Sequence, residues 1–255
     1  MTPSTTFLAT IVTLCVATIV LMRTAFNKGK PTCRHYLFNT YLYVFTSLAL
    51  VGLFVQLMDR YQAINPYSYG LVKQMGIGWV IVLLLASIAV LLITMSVSPT
   101  QPILKHSWWV ILVFFLSIIF YPMYHLSRHL NLFYSTLLTV AMMMVLLTTI
   151  AFLRPEWISL KIGPVLLMAL VIGIILHLAL IFSGTAWNRG GLAKWLAWFM
   201  VLLFSIFILY DTKRIQVLAK ACRSAKDADY VNNSLAFLLD LINLFNSLVR
   251  GQALS

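Results

Sequence analysis

Long, uncharged apolar stretches follow one another along almost the whole chain. A helix needs roughly 20 residues to cross about 30 Å of hydrocarbon, and eight stretches reach or approach that length. Because a backbone in hydrocarbon must satisfy its own hydrogen bonds, each stretch predicts a helix. The eight stretches lie near positions 7–22, 36–58, 76–97, 107–126, 132–153, 162–183, 195–210 and 235–249.

This pattern predicts an all-α integral membrane protein folded as one helical bundle. The composition agrees, since 62% of the 255 residues are hydrophobic, 9% are charged and the mean hydropathy is +0.95. A soluble domain has only about 45–50% apolar residues. The first, seventh and eighth stretches are short. We expect the seventh either to extend past Asp211 or to lie tilted in a thinner patch of bilayer.

The distribution of the basic residues indicates how the chain is oriented across the membrane. The chain has 18 Lys and Arg against 6 acidic residues, and the basic residues lie in the segments between the stretches, so no nucleic-acid partner is expected. Segments after odd-numbered stretches contain twelve basic residues and segments after even-numbered ones contain six. The positive-inside rule therefore places the segments after stretches one, three, five and seven in the cytosol. The two richest, 23–34 and 213–226, are expected to share a side near anionic headgroups.

The first stretch predicts a retained span. No basic residue precedes it and Arg23 follows it, whereas a cleavable signal peptide has a charged region before its apolar core and a cleavage site with small residues. We therefore expect the N-terminus to lie outside the cytosol.

Cysteine and histidine positions do not indicate a metal site. Cys15, Cys33 and Cys222 form no C-x-x-C pair, which argues against a disulfide framework and against structural zinc. His125 and His129 have a spacing that suits a metal on a helix, but no third ligand is evident. Two histidines at a membrane interface are the favoured interpretation.

Motifs for enzymatic chemistry are not evident either. His177 lies within an apolar stretch, where a hydrogen-bonded packing role is favoured over a proton relay. No nucleotide-binding or hydrolase motif is evident, so the sequence predicts a protein that is not an enzyme and has no cofactor.

Two acidic residues stand out because they adjoin or interrupt apolar stretches: Asp211 and Asp240. A carboxylate at the centre of a bilayer helix costs about 2.5–3.5 kcal/mol on insertion scales, so it is expected to face the bundle interior and to mark function. Around Asp240, small and polar residues recur at steps of three and four, while apolar residues occupy the other side. The polar stripe comprises Asn233, Ala236, Asp240, Asn243 and Ser247, and the apolar side comprises Leu238, Leu241, Phe245 and Leu248.

Asp211 is the expected partner of Asp240. By itself, an acid at the end of a span beside Lys213 and Arg214 is also explained as a solvated boundary pair. Spans seven and eight are joined by a compact loop, however, so we expect them to pack side by side and to bring the two carboxyls within reach of each other.

At these residues the chain resembles a known family. "LYDTKRI" followed by "DADYVNNSLAFLLDLINLFNSLV" is similar to the C-terminal signature of the transmembrane Bax inhibitor motif family, which includes Bax inhibitor-1 and its bacterial relatives. "CRHYLFNTYLYVFTSLAL" is similar to the start of the first family helix. The resemblance implies a seven-helix family domain over residues 35–255, preceded by an extra transmembrane helix and a basic cytosolic segment over residues 1–34.

The middle of the chain departs from the family pattern. The Gly-Pro segment of the third family helix is not evident, and Tyr121-Pro122 stands in roughly that region. The arginine that some members place near the second helix has no clear equivalent, Lys73 being a distant candidate.

The resemblance implies a pH-sensitive calcium leak that regulates apoptosis through calcium homeostasis. The family's aspartate pair matches Asp211 and Asp240, and two carboxylates in a low-dielectric site can share a proton because both cannot ionise cheaply. Protonation would hold the pair closed, whereas deprotonation would loosen the last two helices and expose oxygens that suit calcium as a permeant ion. Asn233, Asn243 and Ser247 are the expected pore-lining residues, with no resident metal.

The sequence leaves open the host membrane and two alternative functions. A eukaryotic or viral member would suit the endoplasmic reticulum or Golgi membrane, and a bacterial one the inner membrane. One alternative function is suppression of cell death through contacts with apoptosis-regulating membrane proteins, without ion flux. Another is a proton-coupled secondary transporter, for which the expected inverted repeat is not evident.

Overall fold

The computed structural model describes residues 3–61, 77–182 and 191–254, and these residues are mainly helical. Within them, eight α-helices follow in order, numbered as the predicted spans were. They are α1 (Pro3–Thr24), α2 (Tyr36–Arg60), α3 (Ile77–Ser96), α4 (Pro102–His129), α5 (Phe133–Leu153), α6 (Gly163–Phe182), α7 (Leu192–Ala221) and α8 (Tyr230–Ala253).

The helices confirm the predicted all-α membrane fold. Seven of the described helices are long and apolar enough to cross a bilayer, while the apolar part of α3, Ile81–Ser96, is shorter. Of the two possibilities for the seventh stretch, extension past Asp211 is confirmed, because α7 continues to Ala221. Asp211 therefore lies within a helix. The last helix also begins before the predicted position 235, at Tyr230.

A short hairpin and two 3₁₀ turns lie between some of the helices. Strands β1 (Phe26–Asn27) and β2 (Lys30–Pro31) pair antiparallel between α1 and α2. Both central residues of their tight turn, Lys28 and Gly29, have positive φ, as a type I′ hairpin requires. Two single 3₁₀ turns, Pro155–Trp157 and Leu160–Ile162, precede α6.

The chain divides into two compact units, each with its own core. One comprises Met1–Pro122 with Leu218–Leu235, and the other comprises Met123–Val217 with Ala236–Ser255. Fully buried residues in the first unit include Tyr43, Val44, Val55, Met58 and Leu112. Those in the second include Ile208, Phe237, Leu238 and Leu244.

The polar stripe and the apolar side predicted for α8 do not differ clearly in burial. Leu238, Leu241, Phe245 and Leu248, which form its apolar side, are all buried, but so are Asp240 and Ser247 on the polar stripe. Most of the helix is covered. The helix is therefore a central element rather than one with a single buried face.

Within the first unit, the polar segments after α1, α3 and α7 come together. Lys105, in the first turn of α4, bonds to carbonyl oxygens at the end of α3 and to Asp229 just before α8. Cys33 and Cys222 form a disulfide that joins the segment before α2 to the end of α7. These three segments therefore share a side, as the charge pattern requires, and their assignment to the cytosol stays a prediction.

The disulfide corrects the sequence interpretation, which argued against disulfide bonding. The two cysteines are 189 residues apart, so no local spacing motif connects them. They meet because the two basic segments fold onto the same end of the first unit. Cys15, in α1, is free and exposed.

Candidate functional site

Asp211 lies on a buried face of α7. It is only 5% exposed, and Thr212 beside it is fully buried, with its hydroxyl bonded to the carbonyl of Ile208. Its nearest basic group is Arg214, one turn along the helix, whose Nη1 lies 4.0 Å from Oδ1 of Asp211. Since the Arg214 side chain is about half exposed, it supplies a weak, solvent-screened counter-charge.

Asp240 meets Asp211 from α8. Its residue exposure is 6%, and the two aspartate side chains are close enough to interact directly. The Oδ2 atom of Asp240 is buried and has no hydrogen-bond partner in the described part of the chain. Two carboxyl groups in contact, one with an orphan oxygen, form a site that attracts a proton or a cation.

The other residues of the predicted stripe lie on either side of Asp240 along α8. Asn243 is half-buried and Ser247 is buried, about 4.5 and 10.5 Å beyond Asp240 along the helix axis. Asn246, which the sequence analysis missed, also has a buried side-chain oxygen without a hydrogen-bond partner among the described residues. The second unit thus has further polar oxygens near the aspartate pair.

Asn233 has a different setting in the first unit. Its amide nitrogen donates to the Tyr36 hydroxyl at 2.6 Å and to the carbonyl oxygen of Asp229 at 2.8 Å. It lies two turns before Asp240 along α8, where it links the start of that helix to α2. The pore-lining roles of Asn233, Asn243 and Ser247 stay predictions.

A second buried polar cluster, missed in the sequence, surrounds Lys105. The lysine side chain is 1% exposed, and its Nζ donates to Oδ2 of Asp229 at 3.0 Å and to Oδ1 of Asn232 at 2.8 Å. It also donates to the carbonyl oxygens of Thr94 and Val97 at 2.9 and 2.8 Å, where α3 ends. A cation is favoured at a helix C-terminus because unpaired carbonyls carry partial negative charge there.

Aromatic residues extend this cluster towards α2. The hydroxyl of Tyr43 lies 2.6 Å from Nε2 of His106, whose Nδ1 lies 2.5 Å from the carbonyl oxygen of Pro102. The Tyr43 ring stacks on Tyr230 at the start of α8. The only sequence signals for the Lys105 cluster were the single basic residue after stretch three and Asp229, the second acid of "DADY". Neither identified the other as its partner.

The candidate metal and relay histidines lie elsewhere. Among the described residues no group of three or more His, Cys, Asp and Glu could hold a metal ion. His125 and His129 are exposed near the end of α4. His177 contacts the Gly173 carbonyl at 3.1 Å through Nδ1, a contact that suits a packing role. Lys73 lies outside the described residues.

Membrane-crossing helices with buried carboxyls define a multi-pass α-helical integral membrane protein. Over residues 33–251 the chain matches the family described as "Bax1-I: Inhibitor of apoptosis-promoting Bax1", and it belongs to that family. The resemblance read from the sequence is thereby confirmed, and α1 lies before the matched region. The family links the protein to inhibition of apoptosis and is not a known enzyme family. A search of curated proteins found no match.

Proposed function

We propose that this protein is a pH-sensitive calcium leak gated by Asp211 and Asp240. The observation that carries the proposal is the contact between the two carboxyl groups at a buried position, with one oxygen of Asp240 unpartnered. Such a pair responds to pH because the total charge of its two carboxyl groups changes when a proton is lost.

In the closed state, one proton is shared between the carboxyls. A hydrogen bond between a carboxylic acid and a carboxylate is strong, because one partner is ionised. It joins α7 to α8 within the second unit. The shared proton also removes most of the cost of placing two acids together away from water.

Loss of that proton opens the gate. Two unit charges 4 Å apart repel by about 4 kcal/mol at an effective dielectric constant of about 20. That is enough to shift a two-state equilibrium by a factor of several hundred. Arg214 is too exposed to cancel this repulsion, so separation of α7 and α8 relieves it.

The separated carboxylates then attract a hard cation. Calcium takes 6–8 oxygen ligands in proteins, more than two side chains supply, so the pair suits transient passage better than tight binding. Ser247 and Asn243 supply further oxygens along α8. A regulated leak from a calcium store would connect this chemistry to the family's link with apoptosis.

The test is calcium efflux from loaded proteoliposomes across a pH series. Wild-type efflux should rise with pH, whereas Asp211→Asn and Asp240→Asn should flatten that dependence, because an amide cannot lose the proton. Glu156→Gln is the matched control, since it makes the same carboxylate-to-amide change at an exposed acid away from α7 and α8. Unchanged flux and pH dependence in both gate variants would show that the pair is not the gate.

The same variants separate flux from protein contacts. If the double Asn variant abolished flux but protected cells fully from apoptosis, the link to apoptosis would rest on contacts with apoptosis-regulating membrane proteins instead. Loss of both together would connect protection to the leak.

A further inference from the structure

Cys33 and Cys222 form a cross-link between two distant segments of the first unit. Their Cα atoms are 5.7 Å apart in the disulfide. Cys33 lies between β2 and α2 and is half-exposed, whereas Cys222 directly follows α7 and is 7% exposed. The pair thus has one sulfur that a reagent can reach and one that is covered.

Contacts other than the S–S bond hold the Cys33 segment against the start of α8 and against Ser224, near Cys222. The Tyr230 hydroxyl donates to the Thr32 carbonyl, next to Cys33, and Asn39 donates to the same hydroxyl at 3.4 Å. The Ser224 carbonyl oxygen lies 3.5 Å from the Cys33 sulfur and 3.9 Å from the Cys222 sulfur. In the dithiol form this oxygen can accept an S–H hydrogen bond, so the thiols would stay adjacent after reduction.

The surroundings of the pair are cationic. Arg34 and Arg223 are exposed and adjacent in sequence to the two cysteines. The nearest acid in sequence, Asp227, accepts hydrogen bonds from the Arg223 and Ser224 amides. Positive surroundings favour a thiolate, which is the form that attacks a disulfide.

The charge pattern predicts that this pair faces a reducing compartment. Both cysteines lie in or beside the two segments richest in Lys and Arg, which the positive-inside rule assigns to the cytosol. Glutathione keeps most thiols reduced there, and cytosolic disulfides in mesophiles are usually transient or redox-sensing. A cysteine pair held at bonding distance on that side is therefore suited to reversible oxidation.

We propose that Cys33 and Cys222 are a reversible redox modification site that reacts with oxidised glutathione. The half-exposed Cys33 thiolate attacks one sulfur of glutathione disulfide, which forms a mixed disulfide and releases one glutathione thiolate. The Cys222 thiolate then attacks the Cys33 sulfur and releases the second. Two electrons pass from the cysteine pair to glutathione, and the two protons lost by the cysteines are taken up by the two glutathione thiolates.

The oxidised form restrains α7. The cross-link fastens the residue that ends this helix to the segment that precedes α2, whereas the reduced form leaves only hydrogen bonds between them. This step rests on the proposed function, in which Asp211, on the same helix, is one half of the gate. Oxidation should therefore slow the separation of α7 and α8 and lower the leak.

The test of the site uses full-length protein in liposomes equilibrated with a series of reduced-to-oxidised glutathione ratios. Thiols are counted by the gel shift that a maleimide–polyethylene glycol label produces. Wild type should convert between three and one labelled thiols within the cytosolic range of ratios. Cys15→Ser, the control, should keep this transition, whereas Cys33→Ser and Cys222→Ser should abolish it.

Two results would overturn the site. A pair that stays oxidised throughout the series would be a permanent structural disulfide, as expected if these segments faced an oxidising compartment. A pair that never cross-links would show that the thiols do not meet. A membrane-impermeant maleimide applied to intact cells checks the side, and labelling of Cys33 from outside would contradict the proposal.

Calcium efflux from the same liposomes tests the restraint. Reduced wild type should leak several-fold faster than oxidised wild type at one pH, and Cys33→Ser should leak at the reduced rate under both conditions. Redox-independent flux would overturn the restraint. Absence of flux from the reduced protein at every pH would instead contradict the proposed function. The redox site would still be tested in that case, because the thiol count does not depend on flux.

Discussion

The Nζ atom of Lys105 lies 3.0 Å from Oδ2 of Asp229, in an ion pair whose lysine side chain is 1% exposed and whose aspartate side chain is 19% exposed. The same ammonium group bonds to two carbonyls at the end of α3. One cation therefore fastens the end of α3 and the approach to α8 to the first turn of α4. A buried cation with four oxygen partners compensates its desolvation only while those partners stay in place.

Replacing Lys105 with Met should destabilise the protein. The substitution leaves Asp229 and two helix-end carbonyls without their donor, and breaking a buried ion pair by removing one partner costs about 3–5 kcal/mol. Partial exposure of Asp229 places the expected loss near 3 kcal/mol, measured as a lower thermal midpoint in detergent. Lys161→Met, at an exposed position, is the control. Adding Asp229→Asn should recover part of the loss, and a Lys105→Met protein as stable as wild type would contradict the finding.

Gly163 at the start of α6 leaves no room for a side chain. A Cβ atom there would lie 2.6 Å from the Tyr210 hydroxyl oxygen and 3.0 Å from its Cζ. Gly163→Ala should therefore lower stability by about 1–3 kcal/mol through overpacking, measured by thermal unfolding. Gly52→Ala, where the added Cβ meets nothing within 4 Å, should be neutral or stabilising. Partial rescue by Tyr210→Phe would locate the clash, and equal effects at the two glycines would refute it.

Tyr43 and His106 form a partly buried hydrogen bond in the first unit. The hydroxyl of Tyr43 lies 2.6 Å from the His106 nitrogen, and Tyr43 is almost fully buried. Tyr43→Phe should cost about 1–3 kcal/mol, because the ring nitrogen loses its partner away from water. Tyr134→Phe removes an exposed hydroxyl that bonds to Arg128 and should cost much less. Similar thermal midpoints for the two variants would argue against a structural role for the buried pair.

Asp227 orders the loop between α7 and α8. Its carboxylate accepts hydrogen bonds from the Arg223 amide at 3.0 Å, from the Ser224 hydroxyl at 2.9 Å and from the Ser224 amide at 2.8 Å, and these bonds hold the pKa of Asp227 below its usual value. A depressed pKa means that the contribution is fully present above the ordinary pKa of an aspartate, neutral pH included, and is lost as pH falls through the lowered pKa of the folded state.

Hydrogen exchange tests the loop. In Asp227→Asn, the Arg223 and Ser224 amides should exchange faster at neutral pH, because an amide oxygen is a weaker acceptor than a carboxylate. Amides in the middle of α7 serve as the internal reference and should not change. Unchanged exchange at both loop amides would show that the carboxylate does not order the loop.

The sequence predicted features that depend on its local pattern. The lengths of the apolar stretches identified the membrane helices, because the thickness of the hydrocarbon core sets the same minimum length for each of them. The cost of burying a charge singled out Asp240, and the expected packing of consecutive spans brought in Asp211; both aspartates are buried. The sequence left open whether α7 continues past Asp211, because a polar residue can mark the limit of the bilayer or a helix that continues with polar residues on its surface.

Features that depend on distant contacts were missed. Lys105 was counted as one more loop cation because its partners come from the end of α3 and from residue 229, and no periodicity connects these. The Cys33–Cys222 pair was missed for the same reason. The Lys105 ion pair and the disulfide can be recognised only when the spatial positions of the three segments at one end of the first unit are known.

The burial of α8 has a consequence for biogenesis. Of the seven full-length apolar helices in the described chain, it has the lowest hydropathy and is the most enclosed. Lipid alone is a poor solvent for its aspartate and asparagines, so its insertion is a docking step that follows assembly of its neighbours rather than independent partitioning. A chain in which those neighbours fail to assemble would display the polar stripe to lipid, where membrane quality control can detect it.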